Sequence, residues 1–233
     1  MPKDTRPVAR PAEANFIDAF LRQADATPMR RSAGRLIFAL DATMSRQPTW
    51  DMAQLVQARM FQTAASLGGL DVQLVYFRGF SECRASRFVS GGQGLGDLMA
   101  KIACRGGSTQ IGKVLRHAAE EARRERLGTL IYVGDAMEEH FDTLCQAAGE
   151  MALLGVKAFM FHEGHDGRAG AAFREIARLT GGAYAAFDAN APDRLAALLA
   201  AAAAYAAGGF HGLASIAHEN DPAARLLLSQ LTP

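Results

Sequence analysis

Four short apolar runs punctuate the chain: "RLIFAL" at residues 35–40, "DVQLVYFR" at 71–78, "TLIYVG" at 129–134 and "VKAFMF" at 156–161. Stretches of helical periodicity separate them. Strands apolar at nearly every position are buried on both faces, and that happens in parallel sheets with helices packed on each side. Between the first two runs, "WDMAQLVQARMFQTAASLGG" sets Met52, Leu55, Val56, Met60 and Ala64 on one helical face and closes on two glycines. Later helices are expected with Leu95, Leu98, Met99 and Ile102 inward, then Ile111, Val114, Leu115, Ala118 and Ala122, then Phe141, Leu144, Cys145 and Ala148. The more polar "SECRASRFVSG" follows the second run closely enough to form a hairpin and predicts an edge strand. "AYAAF" is a weaker last strand. The expected fold class is α/β: a doubly wound, mostly parallel central sheet with one antiparallel edge strand and helices on both faces.

Three segments follow from this pattern. Residues 1–33 are expected to form an N-terminal extension with a short helix, "ANFIDAFLRQA", that would align Phe16, Ile17, Phe20 and Leu21. Residues 34–207 form the α/β domain. Residues 208–233 form a tail in which Asp221 caps, and Pro222 opens, a helix with Leu226, Leu227, Leu228 and Leu231 as its apolar stripe. Packing back onto the domain is the simpler reading of that helix, and docking on a partner is the alternative.

Composition narrows the function classes. With 233 residues and 49% hydrophobic content the chain suffices for one sizeable core. A formal net charge of +1 gives no global bias toward nucleic acid or an anionic membrane. The proline-rich, charged start lacks the apolar run of a secretory signal, and the longest apolar run, residues 195–207, falls short of the roughly 18 residues of a membrane span. Cys83, Cys104 and Cys145 include no CxxC pair, against a disulfide framework or a zinc site. The expectation is a cytoplasmic protein with neither nucleic acid nor membrane as partner.

In a doubly wound sheet, ligands bind at the carboxyl ends of the strands. The first strand runs into "DATMS", which sets Asp41, Thr43 and Ser45 at that edge. A later strand runs into Asp135 at the same edge, and Thr109, in "CRGGSTQIG", is expected there as the N-cap of the next helix. Two carboxylates and three hydroxyls are hard oxygen donors, suited to Mg²⁺ or Mn²⁺. Alone, each would be an ordinary cap; the set is what suggests a cation.

Other chemistries find less support. Gly107, Gly112 and Lys113 match a phosphate-loop pattern, but Val114 stands where a hydroxyl is needed and no strand precedes them. His162 and His165 in "HEGHD" are three apart in what reads as a polar loop, not four apart on a helix. There is no G-x-S-x-G elbow, and the first strand ends in D-x-T rather than the D-x-D of many acidic hydrolases.

The order of strand, D-x-[S/T]-x-S, threonine loop, strand and aspartate resembles the metal-ion-dependent adhesion site (MIDAS) of von Willebrand factor type A (VWA) domains. The resemblance rests on Asp41, Thr43, Ser45, Thr109 and Asp135. It implies direct cation ligation by Thr43, Ser45 and Thr109, with Asp41 and Asp135 acting through water. It also implies a shell completed by a Glu or Asp of a partner protein. Thr43 stands for the usual serine, and Met44 and Ala136 for usual glycines. Intracellular members of the family serve as scaffolds or subunits of assemblies, including ones driven by AAA+ ATPases. A non-catalytic protein-interaction module is therefore expected, and the alternative is a Mg²⁺-dependent enzyme with Glu138, Glu139 or His162 as acid or base.

Overall fold

Alternate residues of the first strand, β1 (Gly34–Asp41), enter opposite cores: Leu36, Phe38 and Leu40 face one helical layer, Ile37 and Ala39 the other. The same alternation runs through β2 (Leu70–Arg78), β4 (Thr129–Gly134) and β5 (Lys157–Glu163). The structure, a computed structural model, describes residues 34–188 and 191–231, apart from the side chain of Ser45. The helix expected at residues 14–24 lies outside the described residues.

The six strands lie in the order β3-β2-β1-β4-β5-β6, with β3 (Glu82–Val89) antiparallel at one edge and β6 (Ala183–Phe187) parallel at the other. β1 pairs in parallel with both β2 and β4, so the chain reverses its direction of winding between β1 and β4. Loops diverge there, opening the crevice that such sheets use for ligands. The expected α/β architecture, including the antiparallel edge, is the one observed.

One layer consists of α1 (Gln47–Val56), α2 (Ala58–Ala65), α3 (Gly92–Met99), α7 (Pro192–His218) and α8 (Pro222–Leu228). The other consists of α4 (Ile111–Arg124), α5 (Phe141–Leu153) and α6 (Gly167–Leu179). The single helix expected after β1 is two, parted at Gln57, whose side-chain amide donates to the Gly92 carbonyl at 2.9 Å. Its inward row is Trp50, Ala53, Gln57, Met60 and Ala64, and Leu55 is 82% exposed instead of buried. Trp50 decides this: its bulk takes the core position, its indole N–H donates to Met99, and Leu55 falls on the opposite face. Phe141 likewise opens α5 in the solvent rather than in the core.

α7 is longer than its apolar run suggests, because the helix resumes beyond Gly209, the point of a kink. By length and composition it passes for a membrane span, with a mean hydropathy of 1.4. In this fold Leu195, Leu198, Leu199 and Leu213 are buried in the sheet's core. The terminal helix α8 is capped by Asp221, which accepts from Ala223 and Ala224 at 2.8 and 2.9 Å, and it buries Leu227 against the same core. Just beyond it, Gln230 pairs with both backbone groups of Tyr184 at 2.9 Å, satisfying part of the free edge of β6.

Candidate functional site

The edge formed by the ends of β1, β4 and β5 gathers most of the chemistry. Asp41 closes β1, is 4% exposed, and its Oδ1 accepts the Thr43 amide at 2.7 Å. Thr43 is extended and its carbonyl accepts from Arg46, which closes a single 3-10 turn, Met44–Arg46. Ser45 lies in that turn, and its side chain lies outside what the structure describes. Asp135 follows β4 directly, one strand away from Asp41.

The middle loop is clamped from two sides. Arg105 donates to the Ala42 carbonyl at 3.0 Å and Ser108 to the Gly79 carbonyl at 3.1 Å, so the loop lies against both the end of β1 and the β2–β3 hairpin. A Cβ on Gly107 would stand 2.1 Å from the Gly79 oxygen, so only glycine permits this approach. Thr109 is not the N-cap expected of it; that place falls to Gln110. Instead the Thr109 hydroxyl accepts the Glu138 amide at 3.0 Å, while Glu138 accepts the Thr109 amide at 3.0 Å. The donors at the start of α4 are satisfied by Glu139, which accepts from Ile111 at 2.5 Å and Gly112 at 2.9 Å. Two successive glutamates thus tie the threonine loop to the aspartate loop. Lys113 donates to Ser81 and Gln110, away from any phosphate cradle.

The "HEGHD" stretch is not wholly a loop. His162 and Glu163 are the last two residues of β5, both buried, and Asp166 caps α6. His162 packs against Phe173 and its Nδ1 meets the Tyr184 hydroxyl at 2.9 Å; burial lowers its pKa and favours the neutral ring. Glu163 faces the other way and accepts from Arg46 and from the Thr49 hydroxyl.

Arg46 is the residue that motif reading passed over. It follows the second hydroxyl of the motif, yet it is 3% exposed, and its Nη1 lies 3.5 Å from the Asp135 Oδ2 while Nη2 pairs with Glu163. It forms part of the wall of a 380 Å³ cavity beside the β4 and β5 ends, together with Asp135, Glu163, Gly164, His165 and Asp188. No local signal announces it, since its partners stand 89 and 117 residues away. The one hint is an arginine in the turn that follows a buried strand end.

The charges decide whether a divalent cation suits these residues. Asp41, Asp135 and Glu163 gather about one guanidinium, so carboxylates outnumber the arginine at this partly buried edge. Burial is the largest influence on Asp41 and drives its pKa up to about 6, against the lowering effect of the Thr43 hydrogen bonds. Arg46 is the weakest of the influences on it. A doubly charged cation among oxygen donors is what would relieve that strain, and the Thr109 hydroxyl keeps a second lone pair beside its bond from Glu138. The oxygen donors of this edge are of the kind that suits a hard divalent cation.

The raised Asp41 pKa carries a pH dependence. Between the ordinary value of 3.8 and about 6, the folded chain holds a proton that the unfolded chain has released. Stability contributed by this proton is present at low pH and is lost as pH rises through about 6, on the order of 3 kcal/mol in all. In chelator, the melting temperature of the protein relative to Asp41→Asn is expected to fall over this window and level off above it. A rise with pH relative to the variant would contradict the burial argument.

No protein-family model matches the sequence, and no curated protein matches it. Solved structures do. An aerotolerance-related membrane protein from Bacteroides fragilis superposes with a TM-score of 0.52 at 17% identity, over 68% of this chain and 93% of that one. The VWA domain of SpRpn10 gives 0.56 at 9% identity, over 70% and 95%. Proximal thread matrix protein 1 of the mussel byssus, solved with a zinc-occupied MIDAS motif, gives 0.55 at 15% identity, over 73% of this chain and 45% of that one. At such identities the likeness speaks for the backbone alone, and with the six-stranded, mostly parallel sheet it shows the fold: the chain has the von Willebrand factor type A fold.

Proposed function

We propose that this chain is a non-catalytic protein-interaction module that captures an acidic side chain of a partner protein through Mg²⁺ or Mn²⁺. Thr43, Ser45 and Thr109 would hold the cation, with Asp41 and Asp135 behind it, and a partner Glu or Asp would supply the remaining ligand. The observation that carries this reading is the gathering of three carboxylates, Asp41, Asp135 and Glu163, about Arg46 at the crossover edge, with Asp41 buried among them. The cation supplies positive charge that draws a carboxylate from outside; the chain's own residues hold and orient it. The mussel protein of like fold, solved with a zinc-occupied MIDAS motif, supports divalent-cation binding as a use of this fold.

The enzyme alternative needs a spare acid or base, and the three candidates are engaged elsewhere. Glu138 holds Thr109, Glu139 holds the start of α4, and His162 is buried against Phe173 and Tyr184. That supports the non-catalytic reading. The unpaired thiols of Cys83, Cys104 and Cys145 suit the cytoplasm, and a subunit's place in an assembly driven by an AAA+ ATPase is the setting the motif suggests.

Calorimetric titration of chelator-treated protein with Mn²⁺ and Mg²⁺ tests the proposal. Saturable binding at one site is expected, lost in Thr109→Ala while the variant's far-ultraviolet spectrum stays unchanged. Undiminished binding in both Thr109→Ala and Asp41→Ala would place the cation elsewhere.

A further inference from the structure

A metal-binding edge of this kind has no need of a buried arginine, and here one lies at its centre. Arg46 leaves the 3-10 turn that carries the motif's hydroxyls, turns inward to 3% exposure, and spans from Asp135 after β4 to Glu163 at the end of β5. Thr49, one turn further on, donates to the same Glu163 carboxylate, and the Arg46 Nε has no hydrogen-bond acceptor among the described residues. The bridge is therefore lopsided: the contact with Glu163 is close and shared, that with Asp135 is looser at 3.5 Å, and Asp135 is one-third exposed. Asp135 is also one of the two carboxylates assigned to the divalent cation.

We propose that Arg46 is a built-in cation of this site, which holds the β4 and β5 ends together when no metal is present and competes with the metal for Asp135. The proposal rests on the cation reading given above and adds what sets the affinity. Two positive centres cannot both take the full charge of one carboxylate, and at separations of a few ångströms their repulsion is large in a poorly hydrated site. Glu163 is what restrains the guanidinium. It anchors one end of it, so that Asp135 is only partly claimed. Arg46 is thus a positioning residue whose charge tunes the edge toward weak cation binding until a partner's carboxylate arrives to share the load.

The test measures Mn²⁺ affinity in three forms of the full chain. In the double variant Arg46→Met, Glu163→Gln, one positive and one negative charge leave together, so the net charge is kept while the competitor is gone. Its Mn²⁺ affinity is expected to rise by about tenfold or more. In Glu163→Gln alone, Arg46 turns to Asp135 and the affinity is expected to fall by a similar factor. A role for Arg46 in architecture only would leave the double variant's affinity equal to, or below, that of the parent. Should the double variant fail to melt cooperatively, Arg46→Lys answers the same question: an ammonium too compact to bridge both carboxylates stays with Glu163, and affinity again rises if the competition is real. Parent binding with no rise in either variant overturns the competition and leaves the cation site standing. No binding in any form overturns the cation site, and the competition with it.

Discussion

Glu163→Ala is expected to destabilise the protein by about 3–5 kcal/mol, which for a domain of this size is a fall of about 10 °C or more in melting temperature. Glu163 carries the tighter half of the Arg46 bridge and also accepts from Thr49. Removing it leaves a guanidinium at 3% exposure with, among the described residues, the 3.5 Å contact to Asp135 as its remaining ion pair. A buried charge stripped of its partner bears the desolvation penalty without the Coulomb return. The charge-conserving pair Arg46→Met, Glu163→Gln removes both charges and is expected to stay within about 1 kcal/mol of the parent, since replacing a buried ion pair is often neutral. Chemical denaturation of the two variants side by side checks the claim. Equal losses would mean that packing volume, and not an orphaned charge, sets the effect.

Gly107→Ala is expected to act on stability and on the site together. The added methyl would stand 2.1 Å from the Gly79 carbonyl oxygen and 2.3 Å from its nitrogen, both of them backbone atoms that cannot swing aside. The middle loop has to move off the β2–β3 hairpin, losing the Ser108 bond to Gly79 and displacing Thr109 two residues on. A cost of about 3 kcal/mol is expected, at the upper end of the overpacking range. Mn²⁺ binding should fall at least about tenfold, because a hydroxyl displaced by even a fraction of an ångström no longer meets a small cation's geometry. Ala at neighbouring Gly106, where a Cβ meets nothing within 4 Å, is the control and should bind as the parent does. Matching behaviour of the two variants would show that the loop is not held by the close approach.

Much of the fold was legible because it is written in local periodicity. Leu36 to Leu40 alternate between two cores, and only a strand covered on both faces asks for apolar residues at every position. Asp41 and Asp135 were legible for the same reason: each is the first carboxylate after such a run, so the sheet's topology brings them to one edge. What escaped was whatever depends on competition between distant residues. Leu55 has helical spacing as good as that of Trp50, and only the volume of the core chooses between them. Thr109 has the look of a cap, but the amide it meets belongs to Glu138, in a loop that the sequence does not show to be adjacent. Arg46 reads as a surface residue until Glu163 arrives from β5 to bury it.

Asp41 and Asp135 follow neighbouring strand ends as expected, while Glu138, Glu139, Arg46 and Glu163, which hold the surrounding loops, were not foreseen in those roles. The site is a frame of carboxylates about one arginine, stiffened by hydrogen bonds. Keeping Asp41 ionised there lowers the stability of the cation-free protein, which is intelligible if the position serves binding rather than folding.

The most direct measurement is the melting temperature of the parent protein and of Asp41→Asn near neutral pH, each in chelator and in saturating Mn²⁺. Asparagine keeps an oxygen for the Thr43 amide and removes the buried charge. The expected result is that Asp41→Asn melts above the parent in chelator, that Mn²⁺ raises the parent, and that the variant does not respond. A parent indifferent to Mn²⁺, or an Asp41→Asn variant that responds as the parent does, would contradict the claim that this strand end is built to hold a divalent cation.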